Sequence, residues 1–337
     1  MSYKERPSDA FLHLLRQTGS RDQQVAFAAQ REFASALETP LRKGVLSGNI
    51  LGDIFEMTPV EAGATTEYPL DLLAPGLEGE HIAYVNPGHG RIPERTVEGD
   101  FVTIPTYGIT NSIDYLLRFA RDARWDIATR AMQVMEAGFV KKMNDDGWYT
   151  ILAAAVDRNI LVFDGDATAG MFSKRLVSLM QTTMRRNSGG NTGSGSRGRM
   201  TDLYVSPEAL EDVRNWGLDQ IDEVSRREIY KAEEGGAPIT RIFGVNLRDL
   251  DELGVGQEYQ TLFTSTDGLN GSIQASDQEL VIGLDQSAND SFIMPIKENV
   301  QVFDDPVLHR SQRVGFYGWA EMGFGVLDNR RLIAGSF

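Results

Sequence analysis

The chain has 337 residues, a formal net charge of −15, 41% hydrophobic and 24% charged residues, and no cysteine. This length exceeds that of a usual single domain, so we expect two or more packed units of a soluble globular protein. The missing cysteine excludes disulfides, thiolate catalysis and Cys-ligated metals, and the acidic charge argues against a dedicated nucleic-acid binder. No apolar run approaches the roughly 20 residues of a membrane span and the N-terminus lacks a signal-peptide pattern, so we expect a cytoplasmic protein with no membrane partner.

The N-terminal segment shows helical periodicity in pieces between Ser8 and Leu46. Gly19 and Ser20 separate these pieces, and Pro40 is expected to end the last one. We therefore expect an arm rather than a core element, held down by something outside the chain.

The segment from Thr58 to Pro105 contains six of the twelve prolines and as many glycines, which rules out a helix. Short extended runs remain at 82–85 and 101–104. Because nothing here is apolar enough to fold alone, we predict a long two-stranded hairpin that projects from the body and is stabilised by a partner subunit.

The stretch from Asp126 to Arg158 has no proline and predicts one helix roughly 50 Å long. Its first apolar stripe is expected on Ile127, Ala131, Val134, Met135 and Gly138. The pattern restarts after a charged waist, at Trp148, Ile151, Leu152 and Ala155. We interpret the helix as a strut across a sheet; two helices broken near Asp146 and Gly147 are the alternative.

Residues 159–290 alternate between strand and helix patterns, which predicts a mixed α/β domain. Strands are expected at 159–163, 201–205 and 239–247, and helices at 171–186, 206–216 and 219–231. Ser206 and Pro207 have the pattern of an N-cap followed by proline at the first helical position.

The C-terminal residues return to strand patterns, at 292–296, 299–303 and 307–308. A longer run then extends from 313 to 326. Its alternation puts Val314 and Phe316 on one face and Tyr317 and Trp319 on the other. This predicts a strand covered on both sides, with the long helix over one of them.

No residue pattern points to catalysis. The G-x-G-x-x-G at 193–198 follows a helix and precedes a strand, the reverse of the dinucleotide fingerprint, and we interpret it as a flexible loop. The histidines lack metal-ligand spacing: His13, His81, His89 and His309. We predict no catalytic, cofactor or metal site and no enzyme activity.

The order of parts is more informative than any motif: helical arm, Pro/Gly-rich extended loop, long helix, α/β domain and aromatic closing strand. The most telling local pieces are LYVSPEAL at 203–210, IFGV at 242–245 and GWAEMGFGV at 318–326. With these parts the chain resembles the major capsid protein of tailed bacteriophages, whose fold is shared with encapsulins and the herpesvirus capsid floor. The resemblance covers essentially the whole chain.

The resemblance implies an α+β phage major-capsid fold in four parts. These are an N-terminal arm at 1–52, an extended β-hairpin loop at 61–106, an axial α/β domain at 159–290, and a peripheral domain at 53–60, 107–158 and 291–337 with the spine helix 126–158. The axial domain would gather five or six copies around an axis.

The implied function is structural. Hexamers and pentamers of the chain would self-assemble into the icosahedral head of a tailed bacteriophage around packaged double-stranded DNA, located in the virion after assembly in the host cytoplasm. Implied partners are other copies, a scaffolding protein, the portal and a decoration protein, with DNA close only by non-specific proximity. An arm of about fifty residues further implies a separate scaffolding protein and little or no processing.

One lineage of this family cross-links its subunits through a lysine of the extended loop. No lysine lies between Lys43 and Lys141, so we predict a non-covalent shell.

Two charged groups are candidates for subunit contacts. One lies near the loop tip and the other at the helix waist: Arg91, Glu94, Arg95 and Glu98, and Lys141, Lys142, Asp145 and Asp146. Lone exposed ion pairs contribute only about 0–1 kcal/mol, so solvated charge is the plainer interpretation of any single loop residue. The alternatives to a phage head are an encapsulin-type nanocompartment and, from another class, a soluble carboxylate-dependent hydrolase or adhesin.

Overall fold

The computed structural model describes residues 9–48, 50–61, 63–69, 101–167, 170–187, 198–216, 240–265, 279–287 and 290–337. Some sequence predictions fall outside these ranges. They are residues 70–100 of the predicted hairpin loop, with its strand at 82–85 and its histidines His81 and His89, the helix at 219–231, and residues 193–197 of the glycine-rich loop.

The helices are α1 (Asp9–Thr18), α2 (Gln23–Gly48), α3 (Leu117–Arg121), α4 (Trp125–Arg158), α5 (Lys174–Arg186), α6 (Pro207–Asn215) and α7 (Glu258–Ser265). The strands are β1 (Glu56–Pro59), β2 (Glu67–Pro69), β3 (Phe101–Thr103), β4 (Tyr107–Leu116), β5 (Leu161–Phe163), β6 (Asp202–Val205), β7 (Thr240–Ile242), β8 (Val245–Asp249), β9 (Leu280–Leu284), β10 (Phe292–Asp305), β11 (Arg313–Met322), β12 (Gly325–Val326) and β13 (Leu332–Ser336). Short 3-10 helices lie at Ile50–Asp53, Pro306–Ser311 and Asn329–Arg331. The predicted spine helix is confirmed, because α4 is one unbroken helix of 34 residues.

The described residues form two compact units, each with its own sheet. Unit 1 takes its residues from Met1–Glu67, Thr103–Gly147 and Ile293–Gly325, and unit 2 from Tyr68–Val102, Trp148–Phe292 and Val326–Phe337. The sheet of unit 1 has the order β1-β10-β11-β4, with β12 beside β10. The sheet of unit 2 has the order β5-β13-β9-β6-β8-β7, and β2 pairs with β3 in a separate two-stranded sheet.

In unit 1, helix α4 packs on the central strand of the sheet. A Cβ atom added to Gly318 of β11 would lie 2.6 Å from Cε of Met135 and 2.6 Å from Cε2 of Phe139. Beside it, the Asn111 side-chain amide of β4 donates a hydrogen bond of 3.1 Å to the Met135 carbonyl. The glycine is therefore needed for this close approach, and the expectation that the long helix covers one face is confirmed.

The N-terminal helices lie on the same face of that sheet. The rings of Phe33 in α2 and Phe316 in β11 are 5.5 Å apart. The fully or almost fully buried apolar side chains of α1 and α2 are Leu15, Ala26, Ala29, Phe33, Ala34, Leu37, Leu41 and Val45. The expectation of an arm outside the core is wrong for the described residues 9–48, because their apolar stripe forms part of the core of unit 1.

Pro40 lies inside α2 and does not end it. A proline within a helix costs about 3 kcal/mol, since it removes a hydrogen bond and crowds the preceding turn. Leu37, Leu41 and Val45 follow one another at helical spacing and are at most 1% exposed. Burial of each contributes about 1.5–3 kcal/mol, so together they outweigh the proline.

The first apolar stripe of α4 differs from the predicted one. Its buried side chains are Ala128, Met132, Met135, Phe139 and Met143, whereas Val134 is 58% exposed. Met135 and Phe139 pack against Gly318 of β11, and this contact sets which face of α4 is buried. The second stripe is confirmed, because Trp148, Ile151, Leu152 and Ala155 are all buried.

The sheet of unit 2 is covered on both faces. On one face, α5 brings the sulfur of Met180 to 2.8 Å from the position of a Cβ on Gly335 of β13. On the other face, the ring of Trp148 in α4 packs edge-on against Tyr204 of β6, with the centroids 4.8 Å apart. Strand β9 is consequently buried along its whole length.

Several strand boundaries need correction. The predicted strand 239–247 is a hairpin of β7 and β8, with Ile242 paired to Val245 across the turn. Residues 292–305 form one strand with irregular register instead of two strands. Residues 307–308 belong to a 3-10 helix, where the side chain of Asp305 accepts a hydrogen bond from the Val307 N–H.

The last strand, β13, belongs to the sheet of unit 2, where it pairs with β5 and β9. The sequence-based grouping of 291–337 with 107–158 placed it in the peripheral domain. Local patterning identifies a strand but not its sheet, since that depends on which neighbours share its hydrogen bonds. The remaining boundaries between arm, loop, peripheral and axial domains stay predictions.

Candidate assembly surface

One face of the unit 1 sheet carries exposed aromatic side chains; we call the face opposite α2 and α4 the open face. Phe303, Tyr317 and Trp319 lie there and are 39%, 40% and 40% exposed. Phe303 is paired with Tyr317, and Trp319 lies two residues further along β11 on the same face. Three neighbouring, partly exposed aromatic residues form a contiguous patch, unlike the single exposed apolar residues that are normal on a surface.

The aromatic residues are held by their neighbours in fixed positions. The rings of Phe303 and Tyr317 stack with centroids 5.3 Å apart and an interplanar angle of 25°. A Cβ atom on Gly108 of β4 would lie only 3.2 Å from Cζ2 of Trp319, so the glycine lets the indole lie across that strand. Rings that are already ordered lose little conformational entropy when a partner covers them.

Charged and polar groups lie around the aromatic patch. At one end, Nη1 of Arg313 is 2.8 Å from Oδ2 of Asp114. At the other end, Glu321 Oε1 is 3.4 Å from Lys297 Nζ and accepts a 2.9 Å hydrogen bond from the Thr106 hydroxyl. An apolar centre with a polar rim is the usual composition of a protein–protein interface.

The predicted waist residues lie at the middle of α4 in unit 1. Nζ of Lys142 is 2.7 Å from Oδ1 of Asp146, and the Tyr107 hydroxyl donates a 2.8 Å hydrogen bond to Oδ2 of the same carboxylate. Partial burial, followed by this hydrogen bond and the negative charge of Asp146, raises the pKa of Tyr107. The hydroxyl therefore stays protonated and fixed to the carboxylate.

The other candidate contact residues divide into two groups. Lys141 is exposed and Asp145 is half-buried on α4, and Lys142 forms an ion pair with Asp146 on the same helix. The loop residues Arg91, Glu94, Arg95 and Glu98 lie outside the described residues. A role in subunit contacts for either group remains a prediction.

Sequence reasoning placed Tyr317 and Trp319 on one face but expected that face to be covered. The alternation of the strand was a sufficient signal for the face. It could not show the cover, because large aromatic residues occur both in cores and at interfaces.

Two half-buried charged side chains of unit 2, Arg158 and Glu279, have shifted pKa values. Nη1 of Arg158 donates to the carbonyls of Asn329 and Arg330 at 3.0 and 2.9 Å. Burial lowers the pKa of Arg158 to about 10, an effect that Asp328 partly offsets. Burial also raises the pKa of Glu279, whose carboxylate accepts a hydrogen bond from Ser206 and lies in the field of Glu208 and Asp212.

Within the described ranges, no group of three or more histidine, aspartate or glutamate side chains is arranged to hold a metal ion. Among the described helices, none is both long and apolar enough to span a membrane.

No protein-family model and no curated protein matches the sequence. Solved structures do match. The capsid asymmetric unit of cyanophage Pam1 has a TM-score of 0.54 at 13% identity, covering 84% of this chain and 88% of that one. The capsid of a native GTA particle has a TM-score of 0.53 at 14% identity, covering 85% and 89%. The head structure of Helicobacter pylori bacteriophage KHP40 has a TM-score of 0.53 at 8% identity, covering 86% and 90%.

The fold is therefore an α+β fold of the class found in capsid shells. More particularly, the chain has the major-capsid fold of tailed bacteriophages, as the order of its parts predicted.

Proposed function

We propose that the chain is a structural subunit that self-assembles into the icosahedral head of a tailed bacteriophage and has no enzymatic role. The observation that carries the proposal is the open face of the unit 1 sheet, in a chain with a capsid fold. A ring-stacked patch of Phe303, Tyr317 and Trp319 with a polar rim has the composition of a surface that a neighbouring subunit covers.

The free energy gained by covering this patch can be compared with the free-energy cost of association. The exposed parts of three aromatic side chains amount to roughly 200 Å², and their burial contributes about 5 kcal/mol. Association itself costs about 4–15 kcal/mol in lost freedom. The open face alone is therefore too small to hold two copies together, and each copy needs several such contacts within a closed shell.

The finer parts of the proposal come from the resemblance to phage capsid proteins and from the sequence. Subunits associate as hexamers and pentamers without covalent links, since no lysine lies between Lys43 and Lys141. The shell encloses double-stranded DNA, and the net charge of −15 keeps the packaged DNA from adhering to the protein. A scaffolding protein, a portal and a decoration protein are the further partners, and assembly takes place in the host cytoplasm.

The proposal is tested by electron microscopy of the protein expressed with and without its neighbouring gene products. Closed shells with nuclease-protected DNA are expected. Monodisperse monomers under all conditions contradict the proposal, and shells that enclose a cargo protein instead of DNA replace it with the nanocompartment alternative.

A variant with Tyr317→Ser and Trp319→Ser tests the open face itself. We expect the yield of shells to fall at least tenfold at a temperature where the unassembled variant is still folded, which its own melting curve establishes because both side chains are 60% buried. The matched control is Val25→Ser, which removes a 42% exposed apolar side chain from α2 and should leave assembly unchanged.

A further inference from the structure

The turn between β7 and β8 holds an aromatic residue in an unfavourable backbone conformation. Ile242 and Val245 close a two-residue hairpin turn, and the turn residues Phe243 and Gly244 have φ values of 49° and 82°. Two-residue turns of this kind require positive φ at both positions and favour Asn-Gly. Glycine adopts that conformation freely, but a bulky L-residue such as phenylalanine does so at a cost.

The chain regains little of this cost from burial, because the Phe243 side chain is 60% exposed. The turn is nevertheless fixed in place. Its Phe243 carbonyl accepts a 3.2 Å hydrogen bond from Nε2 of Gln181 in α5, and its Gly244 carbonyl accepts one of 3.4 Å from Nη2 of Arg241. A rigidly presented, exposed aromatic ring is the type of residue that anchors protein–protein interfaces.

The same sheet offers a second exposed apolar surface at its opposite edge. The strand order places β7 at one end of the described sheet and β5 at the other. In β5, Phe163 is 49% exposed, and Met171 in the following segment is 47% exposed. That segment returns towards β5, because the Ser173 hydroxyl donates a 2.6 Å hydrogen bond to Asp164.

Two apolar surfaces at opposite edges of one sheet point in opposite directions, so one neighbouring copy cannot easily cover both. They can pair head to tail, and a head-to-tail contact that closes generates a ring. We propose that Phe243 of one copy packs against the Phe163 and Met171 edge of the next copy and so joins copies of unit 2 into a ring. This inference rests on the proposed function, which supplies five or six copies around an axis, and it names the residues that make the contact.

The first test is Phe243→Asn, which gives the turn its favoured residue. If Phe243 had only a structural role, this change would leave assembly intact or improve it. We expect the melting temperature of the unassembled chain to stay equal or rise, while the yield of shells falls at least tenfold. The matched control is Val255→Asn, a 46% exposed apolar residue of unit 2 outside both edges, which should leave assembly unchanged.

The second test uses the absence of cysteine from the natural chain. Chains with Arg241→Cys beside the turn and chains with Gly165→Cys beside Phe163, both at exposed positions that leave the proposed contact residues intact, are assembled separately and as a mixture, then treated with a short bis-maleimide. Linked dimers are expected only in the mixture. A chain with both substitutions should give a ladder of linked species that ends at five or six copies.

The results separate this inference from the proposed function. Failure of the wild-type chain to form shells overturns both. Wild-type shells together with normal Phe243→Asn shells, or with no more linked dimers in the mixture than in the separate samples, overturn the ring contact alone.

Discussion

The two larger sheets within the described residues are built from similar apolar residues but differ in how many faces are covered. In unit 2 every residue of β6, β9 and β13 is buried, because helices lie on both sides. In unit 1, β11 alternates between buried and exposed side chains along most of its length. The covered sheet provides stability within one chain, whereas the open one leaves aromatic area for contacts with other copies.

Under the proposed function, this difference lets one chain serve both folding and assembly. A sheet covered on both faces has no side chains left for neighbours except at its edges, so we place the proposed ring contact of unit 2 at a turn and at an edge strand. An open sheet can use a whole face. Substitutions in the covered sheet should therefore mainly lower the stability of the chain, whereas substitutions on the open face should mainly lower assembly.

The largest expected effect is on stability in the covered sheet. Ile282 of β9 is fully buried, and Ile282→Ala removes apolar contacts and leaves a cavity. We expect a loss of about 2–5 kcal/mol in the free energy of unfolding, measured by urea denaturation of the unassembled chain. The matched change on the open face, Trp319→Ala, should cost much less; equal losses would contradict the distinction between the sheets.

A polar group at the end of β9 should have the next largest effect. The buried carboxylate of Asp285 accepts hydrogen bonds from the N–H groups of Gly198, Arg199 and Ser287 at 2.9, 3.2 and 3.0 Å. Asp285→Asn replaces one acceptor oxygen by a donor, and we expect a loss of about 1.5–3 kcal/mol in the same assay. The exposed Asp249→Asn serves as the control and should be close to neutral.

Overpacking should distinguish the two faces of the unit 1 sheet. Gly318→Val introduces a side chain where Met135 and Phe139 already approach to 2.6 Å, so we expect a loss of about 1–3 kcal/mol. Ser112→Val on the open face of β4 adds a comparable side chain into solvent and should leave the melting temperature unchanged or slightly higher. A stabilising Gly318→Val would show that α4 can move away from the sheet.

The smallest effect is a pH dependence at the start of β9. Burial raises the pKa of Glu279 above its ordinary 4.5, so the folded chain binds the proton more tightly than the unfolded chain. The stability from this proton is present below about pH 4 and is lost as the pH rises through the folded pKa. Glu279→Gln should therefore raise the melting temperature slightly at about pH 8 and have no effect near pH 4, whereas the exposed Glu211→Gln should have none at either pH.

The sequence predicted the parts whose signals are local and long. The 34-residue helix α4 follows from an unbroken stretch without proline. The N-cap at Ser206, whose hydroxyl oxygen accepts a 3.1 Å hydrogen bond from the Ala209 N–H, follows from a short motif. For the open face, the sequence predicts only which residues share it. Alternation along a strand assigns residues to its two faces, but it does not show which face another segment covers.

The wrong predictions share one cause, because local sequence patterns do not show which segments pack together in the folded chain. Pro40 obeys a local rule that tertiary burial overrides. The turn at Phe243 was missed because phenylalanine is a poor residue for positive φ, so the sequence there resembles a continuous strand. The sequence predicts an arm for α1 and α2, because their apolar stripes can be buried against this chain or against another one.

The sequence by itself determined the order of parts and the spine helix, because these depend on periodicity, proline positions and length, and that order resembles the capsid fold. Only the tertiary structure decided which apolar surfaces the chain covers for itself and which it leaves open at Phe303, Tyr317, Trp319 and Phe243. That choice depends on contacts between segments far apart in sequence, where a single glycine such as Gly318 decides how closely a helix can approach a sheet.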